Sequence, residues 1–297
     1  MNILITGATG LIGRALVAHW QDQHQLHILS RSVDKAKALL AINANYYQSL
    51  DDIDLNAIDA VINLAGEPIA DKRWTESQKT KICQSRWLLT EALAEKIQRC
   101  TTPPKVLISG SAIGFYGRQG SDVITEQYSS FYPEFSHDIC ARWENLAQRA
   151  AGTNTRVCLL RTGIVLSSSG GALAKMVPLF KYGLGGPIGN GQQFMSWIHI
   201  DDMVGLIDFL LHRDDLSGAF NATAPRPVTN KQFSQLLASR FGKKAPFTVP
   251  AFMLRLAFGE MADLVLFGQN VHPKRLLNSG FHFRYTQLKD ALNALQF

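Results

Sequence analysis

Three glycines in seven residues near the start of the chain constrain its fold more than any other feature. Met1-Asn-Ile-Leu-Ile-Thr-Gly-Ala-Thr-Gly-Leu-Ile-Gly13 opens with an apolar, β-branched run, Asn2 to Thr6, that reads as a short buried strand. Gly7, Gly10 and Gly13 follow, and then an amphipathic stretch carrying Leu11, Ile12, Leu16, Val17 and Trp20. Strand, glycine turn and helix in that order make a mononucleotide-binding unit. The glycines let the backbone turn tightly, approach a pyrophosphate and pack helix on strand, while the helix N-terminus offers unpaired N–H groups to the anion. The spacing is G-x-x-G-x-x-G, which by itself also suits a plain glycine turn; the flanking strand and helix favour the nucleotide.

Leu26 to Ser30 reads as a second strand, ending in Ser30-Arg31-Ser32. About 20 residues past the glycines, a free adenosine ribose is usually gripped by an acid, whereas an arginine suits a 2′-phosphate. No acid ends this strand, so Arg31 points to NADP(H) over NAD(H); the alternative is a solvated loop arginine, with Asp34 nearby. Asp59 to Ala65 is the next buried strand, and its Asn63-Leu64-Ala65-Gly66 end is either a ligand-approach turn or a simple strand-to-loop turn. Thr75-Glu-Ser-Gln78 has the capping-box pattern for a helix running to about Gln98, with Ile82, Leu89, Leu93 and Ile97 as its buried stripe. Arg86 falls on that stripe and needs a partner there: a cofactor, an internal ion pair, or solvent reached by snorkelling.

Lys105 to Ser109 and Thr155 to Thr162 read as further strands, around a helix from about Phe135 to Ala151. This alternation predicts an α/β fold, a doubly wound parallel-sheet Rossmann fold, with ligands at the carboxyl edge of the strands. Residues 1–222 are expected to form it, with 166–194 contributing to the substrate side. Residues 223–297 are expected to form a small mixed α/β C-terminal lobe. Within the remainder, Asp201 or Asp202 is read as the N-cap of a helix from Met203 to His212, and Phe281 to Tyr285 as a strand. The apolar stretch Pro250 to Gly268 contains Arg255, Glu260 and Asp263, so it reads as a pair of amphipathic helices and not as a membrane span.

A net charge of +6 raises the question of a polyanionic partner, but the basic residues are scattered, with no run longer than Lys243-Lys244. Nucleic acid is therefore not expected; a phosphate-bearing small molecule needs only one or two placed cations. Cys83, Cys100, Cys140 and Cys158 lack C-x-x-C spacing and read as reduced thiols of a cytoplasmic protein, with no metal role. With a strand beginning at residue 2, no signal peptide is expected.

Together these residues resemble the extended short-chain dehydrogenase/reductase superfamily, in its nucleoside-diphosphate-sugar-epimerase-like branch, over nearly the whole chain. The resemblance rests on Thr6-Gly7-x-x-Gly10-x-x-Gly13, Asn63-Leu-Ala-Gly66, Ser109-Gly-Ser111, and Trp197-Ile-His-Ile-Asp-Asp202 with Gly218-x-x-Asn221. Asn63-Leu-Ala-Gly-Glu67-Pro-Ile, Arg161-Thr-Gly-Ile-Val-Leu166, Gly183-Leu-Gly-Gly-Pro187 and Pro273-Lys-Arg-Leu narrow it to an atypical "epimerase family" subgroup. The resemblance implies that Gly7, Gly10, Leu11, Ile12 and Gly13 cradle the pyrophosphate and that Ser30 and Arg31 meet the 2′-phosphate. It places Leu64 and Ala65 along the adenine-ribose side, Arg86 against the cofactor and Val165 near the nicotinamide.

Active members of the superfamily pair a Ser or Thr with Y-x-x-x-K on a helix, the lysine commonly followed four residues later by glutamate. Aligning Glu144 with that glutamate puts Cys140 at the lysine position and Ser136 at the tyrosine position. Ser111 is left as a hydrogen-bond donor to a substrate carbonyl, with Tyr116, His137 and His199 as substitute proton donors. The expectation is an NADP(H)-dependent oxidoreductase with a non-standard acid, acting on a small carbonyl or hydroxyl substrate. A non-catalytic sensor of the NADP(H) ratio that signals to a protein partner, and a nucleotide-sugar epimerase, are the alternatives. A homodimer is also open, because exposed helices of such folds often pair.

Overall fold

In a computed structural model, which describes residues 1–152 and 154–297, the chain runs β1 (Asn2–Thr6), α1 (Leu11–Trp20), β2 (Gln25–Leu29), α2 (Val33–Leu40), β3 (Asn45–Tyr47) and β4 (Ala60–Asn63). It continues through α3 (Glu76–Gln98), β5 (Val106–Ala112), β6 (Val123–Ile124), α4 (Phe135–Gln148), β7 (Arg156–Thr162), β8 (Ile164–Leu166) and α5 (Gly171–Lys181). Then come β9 (Phe194–Met195), β10 (Trp197–His199), α6 (Ile200–Leu211), β11 (Gly218–Ala222), β12 (Val228–Thr229), α7 (Asn230–Arg240) and α8 (Ala251–Phe258). The chain ends with α9 (Asp263–Leu266), β13 (Asn270–Val271), α10 (Lys274–Asn278) and α11 (Leu288–Ala294).

Seven strands form one parallel sheet in the order β11-β7-β5-β4-β1-β2-β3. Its apolar residues alternate between two cores. Ile3, Ile5, Ile28, Ile62, Ile108 and Leu160 face α1 and α6, whereas Leu4, Val61, Leu107, Val157 and Leu159 face α3 and α4. Both faces are covered, which is why the strands read as continuous apolar runs. The strand order reverses between β1 and β4, so the crevice where a ligand binds in such sheets opens at Gly7 and Leu64.

Several local expectations change. Thr75 caps α3 by accepting from the Gln78 backbone N–H at 3.2 Å, but the reciprocal half of the capping box is missing: Gln78 turns inward, its Nε2 buried without a partner. α6 begins at Ile200, and neither Asp201 nor Asp202 caps it. His199 does, accepting from the Asp201 N–H at 3.1 Å. The buried Asp202 carboxylate instead accepts from the backbone N–H groups of Arg284 and Tyr285, at 2.7 and 3.0 Å. That bond also corrects the strand placed at Phe281 to Tyr285. With those N–H groups taken by a side chain, the segment is an extended loop and not part of a ladder. β3 was not read from the sequence; with three residues, it is too short to show a period. α8 is a helix, but none of its residues is buried; Phe252 and Leu256 point outward, and the following turn anchors the segment through Met261 and Ala262. No helix among the described residues is long and apolar enough to cross a membrane.

Candidate functional site

The three glycines do three different jobs. Gly7 sits in the left-handed region at φ +71°, and a Cβ there would lie 2.6 Å from the Leu64 carbonyl carbon. Only glycine lets the turn press that closely on the end of β4. Gly13 is the packing glycine: its Cβ would fall 2.3 Å from the Gly7 oxygen and 2.6 Å from the Ala8 Cα. Gly10 donates its N–H to the Gly7 oxygen at 2.9 Å and is the N-cap of α1. No side chain caps that helix, so its first-turn N–H groups, beginning at Leu11 and Ile12, are left for an anion. A loop from the far side closes over this turn. The Arg14 guanidinium donates to the Ser169 carbonyl at 3.4 Å, and Gly171 is so near Leu11 that a Cβ would lie 3.0 Å from its methyl group.

On the adenosine side, Ser30 is held by its N–H to the Tyr47 carbonyl at 3.0 Å, and its hydroxyl donates to the Ser32 carbonyl at 3.2 Å. Arg31 is exposed and has no carboxylate partner among the described residues. Ser32, the N-cap of α2, leaves that helix start uncapped as well. Leu64 and Ala65 are pinned by backbone donation to Thr6, Leu64 to its carbonyl at 3.2 Å and Ala65 to its hydroxyl at 3.2 Å. Asn63 looks inward: it accepts from Thr6 at 2.7 Å and donates to Thr90 at 2.8 Å, so it supports the turn from beneath. Ile12, Leu64 and Val165 pack on the same core cluster, bringing three of the expected cofactor contacts to one end of the sheet.

Arg86 has no ion pair among the described residues, which removes one of its three readings. Its Nη1 donates to the carbonyls of Glu67 and Ile82, at 2.9 and 3.0 Å, and its guanidinium lies against Gly66, where a Cβ would come within 2.9 Å of Cζ. Burial pulls its pKa below the usual arginine value. It thus ties the loop after β4 to α3 and keeps a positive charge at the crevice.

The end of β5 is arranged differently. Ser111 donates to Glu144 Oε1 at 2.6 Å; Arg161 meets the same carboxylate with Nε at 2.9 Å and Nη2 at 2.8 Å. Arg161 Nη1 donates to the Tyr116 hydroxyl at 3.0 Å, which in turn donates to Asn221 Oδ1 at 2.7 Å. All five side chains are buried. While Glu144 is ionised, Ser111 therefore spends its proton on that carboxylate and turns lone pairs toward a substrate. Tyr116 is 0 % exposed, and burial pushes its hydroxyl above the ordinary tyrosine value, so it meets no substrate. His199 lies outside this network: besides capping α6, its ring packs on Tyr285 at 4.0 Å, and burial lowers its pKa. His137 is held by its Nδ1 against the Phe115 carbonyl. At the two positions aligned in the sequence with the expected tyrosine and lysine, Ser136 donates to Glu134 at 2.7 Å, and the Cys140 thiol is pushed up to about 12, chiefly by burial and then by the Glu144 charge. Glu144 and Arg161 were not singled out for chemistry in the sequence. The available signal was an acid beside the buried Trp143 on α4 and an arginine inside an apolar strand, each needing a partner.

A strand, a glycine turn and an uncapped helix at the switch point of a parallel sheet define a dinucleotide-binding α/β protein. Residues 3–222 match the NAD dependent epimerase/dehydratase family, and the chain belongs to it; residues 249–295 match a domain of unknown function, DUF1731. It is 38% identical to an Arabidopsis thaliana protein named epimerase family protein SDR39U1 homolog, chloroplastic, covering 99% of this chain and 86% of that one. A Staphylococcus aureus epimerase family protein is 39% identical, over 98% of both chains. Among solved structures, the human epimerase family protein SDR39U1 with NADPH superposes with a TM-score of 0.89 at 32% identity, over 98% of both chains. A nucleoside-diphosphate sugar epimerase from Corynebacterium glutamicum gives 0.79 at 32% identity, over 98% of this chain and 57% of that one.

Proposed function

We propose that the protein is an NADP(H)-dependent oxidoreductase acting on a small hydroxyl or carbonyl substrate, with Ser111 and Glu144 carrying the proton. The cofactor assignment rests on the unpaired Arg31 beside two uncapped helix starts, and is supported by the NADPH bound to the human relative. A bound nicotinamide would supply hydride transfer at C4. The 2.6 Å Ser111–Glu144 hydrogen bond carries the catalytic reading. A substrate hydroxyl donates to Ser111 Oγ as the serine passes its own proton to Glu144; reduction of a carbonyl runs the same path backward. Arg161 braces the carboxylate through both oxygens, fixing its direction toward Ser111. In this reading Arg86, reaching from α3 to the loop after β4, meets the cofactor.

C4-tritiated NADPH incubated with a panel of small carbonyl compounds tests this reading. Label is expected to reach an alcohol product, and Glu144→Gln is expected to slow transfer at least tenfold with cofactor affinity unchanged. No labelled product across the panel defeats it and favours a cofactor-ratio sensor, the reading suggested by Ser136 and Cys140 standing where tyrosine and lysine serve catalytic relatives.

A further inference from the structure

The end of the sheet opposite the glycine loop carries a second constellation. His24 lies just before β2, while Asp208 and His212 stand four residues apart at the end of α6. One ring nitrogen from each histidine and a carboxylate oxygen of Asp208 lie within 4.8 Å of one another. We propose that these three side chains bind a divalent transition-metal ion that clamps the end of α1 to the end of α6.

Three observations carry this. Both ring nitrogens of His24 are buried without any hydrogen-bond partner. Buried polar atoms are nearly always satisfied, so an orphaned pair calls for something that would satisfy it. Asp208 is already oriented: Trp20 Nε1 donates to Oδ1 at 2.8 Å and leaves Oδ2 available. His212 is oriented too, because its Nδ1 lies 2.9 Å from the Asp208 backbone carbonyl. A neutral ring donating from Nδ1 carries its lone pair on Nε2, the arrangement that second-shell bonds impose on metal-bound histidines.

Two imidazoles and one carboxylate suit Ni²⁺, Co²⁺, Cu²⁺ or Zn²⁺ in preference to Mg²⁺ or Ca²⁺, with water completing the shell. Bonds of about 2.0–2.2 Å hold tetrahedral ligands roughly 3.4 Å apart, so the three side chains must draw together on binding. The helices to be clamped already share a core, with Leu16, Val17 and Trp20 against Ile207, Leu210 and Leu211. The site is therefore structural and stands apart from the chemistry at β5.

The test uses full-length, tag-free protein, stripped with EDTA and titrated with Ni²⁺ by calorimetry, alongside thermal unfolding. One ion per chain and a raised Tm are expected, since an ion that binds only the folded state stabilises it. His212→Ala and Asp208→Asn should each weaken binding at least tenfold and abolish the rise in Tm; the asparagine keeps an acceptor for Trp20. Absence of binding, or binding that neither variant weakens, overturns the proposal.

Discussion

Around the carboxyl ends of β1 and β2 the chain leaves polar groups unspent: two helix starts lack side-chain caps, and among the described residues Arg31 has no carboxylate partner and Arg86 donates only to carbonyls. At the carboxyl end of β5, Ser111, Glu144, Arg161, Tyr116 and Asn221 satisfy one another in a buried chain of bonds between 2.6 and 3.0 Å. Groups left open toward a crevice record what a site binds, because their missing partner has a charge and a shape. A network closed on itself records what holds the fold, and whatever chemistry it performs must borrow from it. The first region is thus readable as an anion site, while the second reveals a function only when perturbed.

The sharpest way to break this contrast is to open the closed network. Arg161→Ala strands Glu144 as a buried carboxylate without its cation, and loss of one partner of a buried pair typically costs about 3–5 kcal/mol. Denaturant unfolding should register that loss. A change below about 1 kcal/mol would mean that the carboxylate is solvated, and the contrast would fail. At the open end, Gly7→Ala forces a Cβ against the Leu64 backbone at a positive φ, and Gly13→Ala forces one into the Gly7 carbonyl. Each should lose about 1–3 kcal/mol of stability and weaken NADPH at least tenfold; wild-type affinity in either would show that the turn does not cradle the phosphates.

The legibility of the fold follows the same division. The alternation of strands and helices, the glycine turn and the course of α3 could be read because they depend on local pattern: apolar runs, glycine at a tight turn, threonine before a helix. The misread elements depend on distant partners. The Phe281 to Tyr285 run has strand chemistry, yet Asp202, some 80 positions away, takes its N–H groups. Asp201 and Asp202 look like caps, but His199 reaches the helix first. The Ser111–Glu144–Arg161 triad joins β5, α4 and β7 and has no spacing signature at all. Likewise His24 meets Asp208 and His212 only because α1 packs on α6; the four-residue spacing of the latter two was the sole hint. The glycine-turn residues lie in one stretch of sequence, whereas Arg31, Leu64, Arg86 and Val165 and the side chains of the β5 network are assembled by the fold.

A smaller effect sharpens the open end. Arg31→Ala removes one exposed cation, and a hydrogen bond to a charged group contributes about 1.5–3 kcal/mol. NADPH affinity should fall roughly 10- to 150-fold, with NADH affinity unchanged. Equal losses for both would show that Arg31 supports the loop and does not meet the 2′-phosphate.

The smallest effect belongs to the closed end, where Cys140 is buried beside Glu144. With its thiol held up to about 12, the folded protein keeps that proton where the unfolded chain, with thiols near 8.5, has lost it. The folded state then binds more protons between about pH 9 and 12, so this thiol's contribution is complete below pH 8.5 and drains away as pH rises through that window. Each unit in the window costs roughly 1.4 kcal/mol per thiol, and at neutral pH nothing. Cys158, pushed up to about 11, adds a similar but narrower loss. Stability measured from pH 8 to 10.5 should therefore decline less steeply in Cys140→Ala than in the wild type, while iodoacetamide at pH 8 should leave native Cys140 unmodified. Rapid alkylation of the folded protein would show that this thiol is open to the cleft and that the network around Glu144 is less closed than its hydrogen bonds imply.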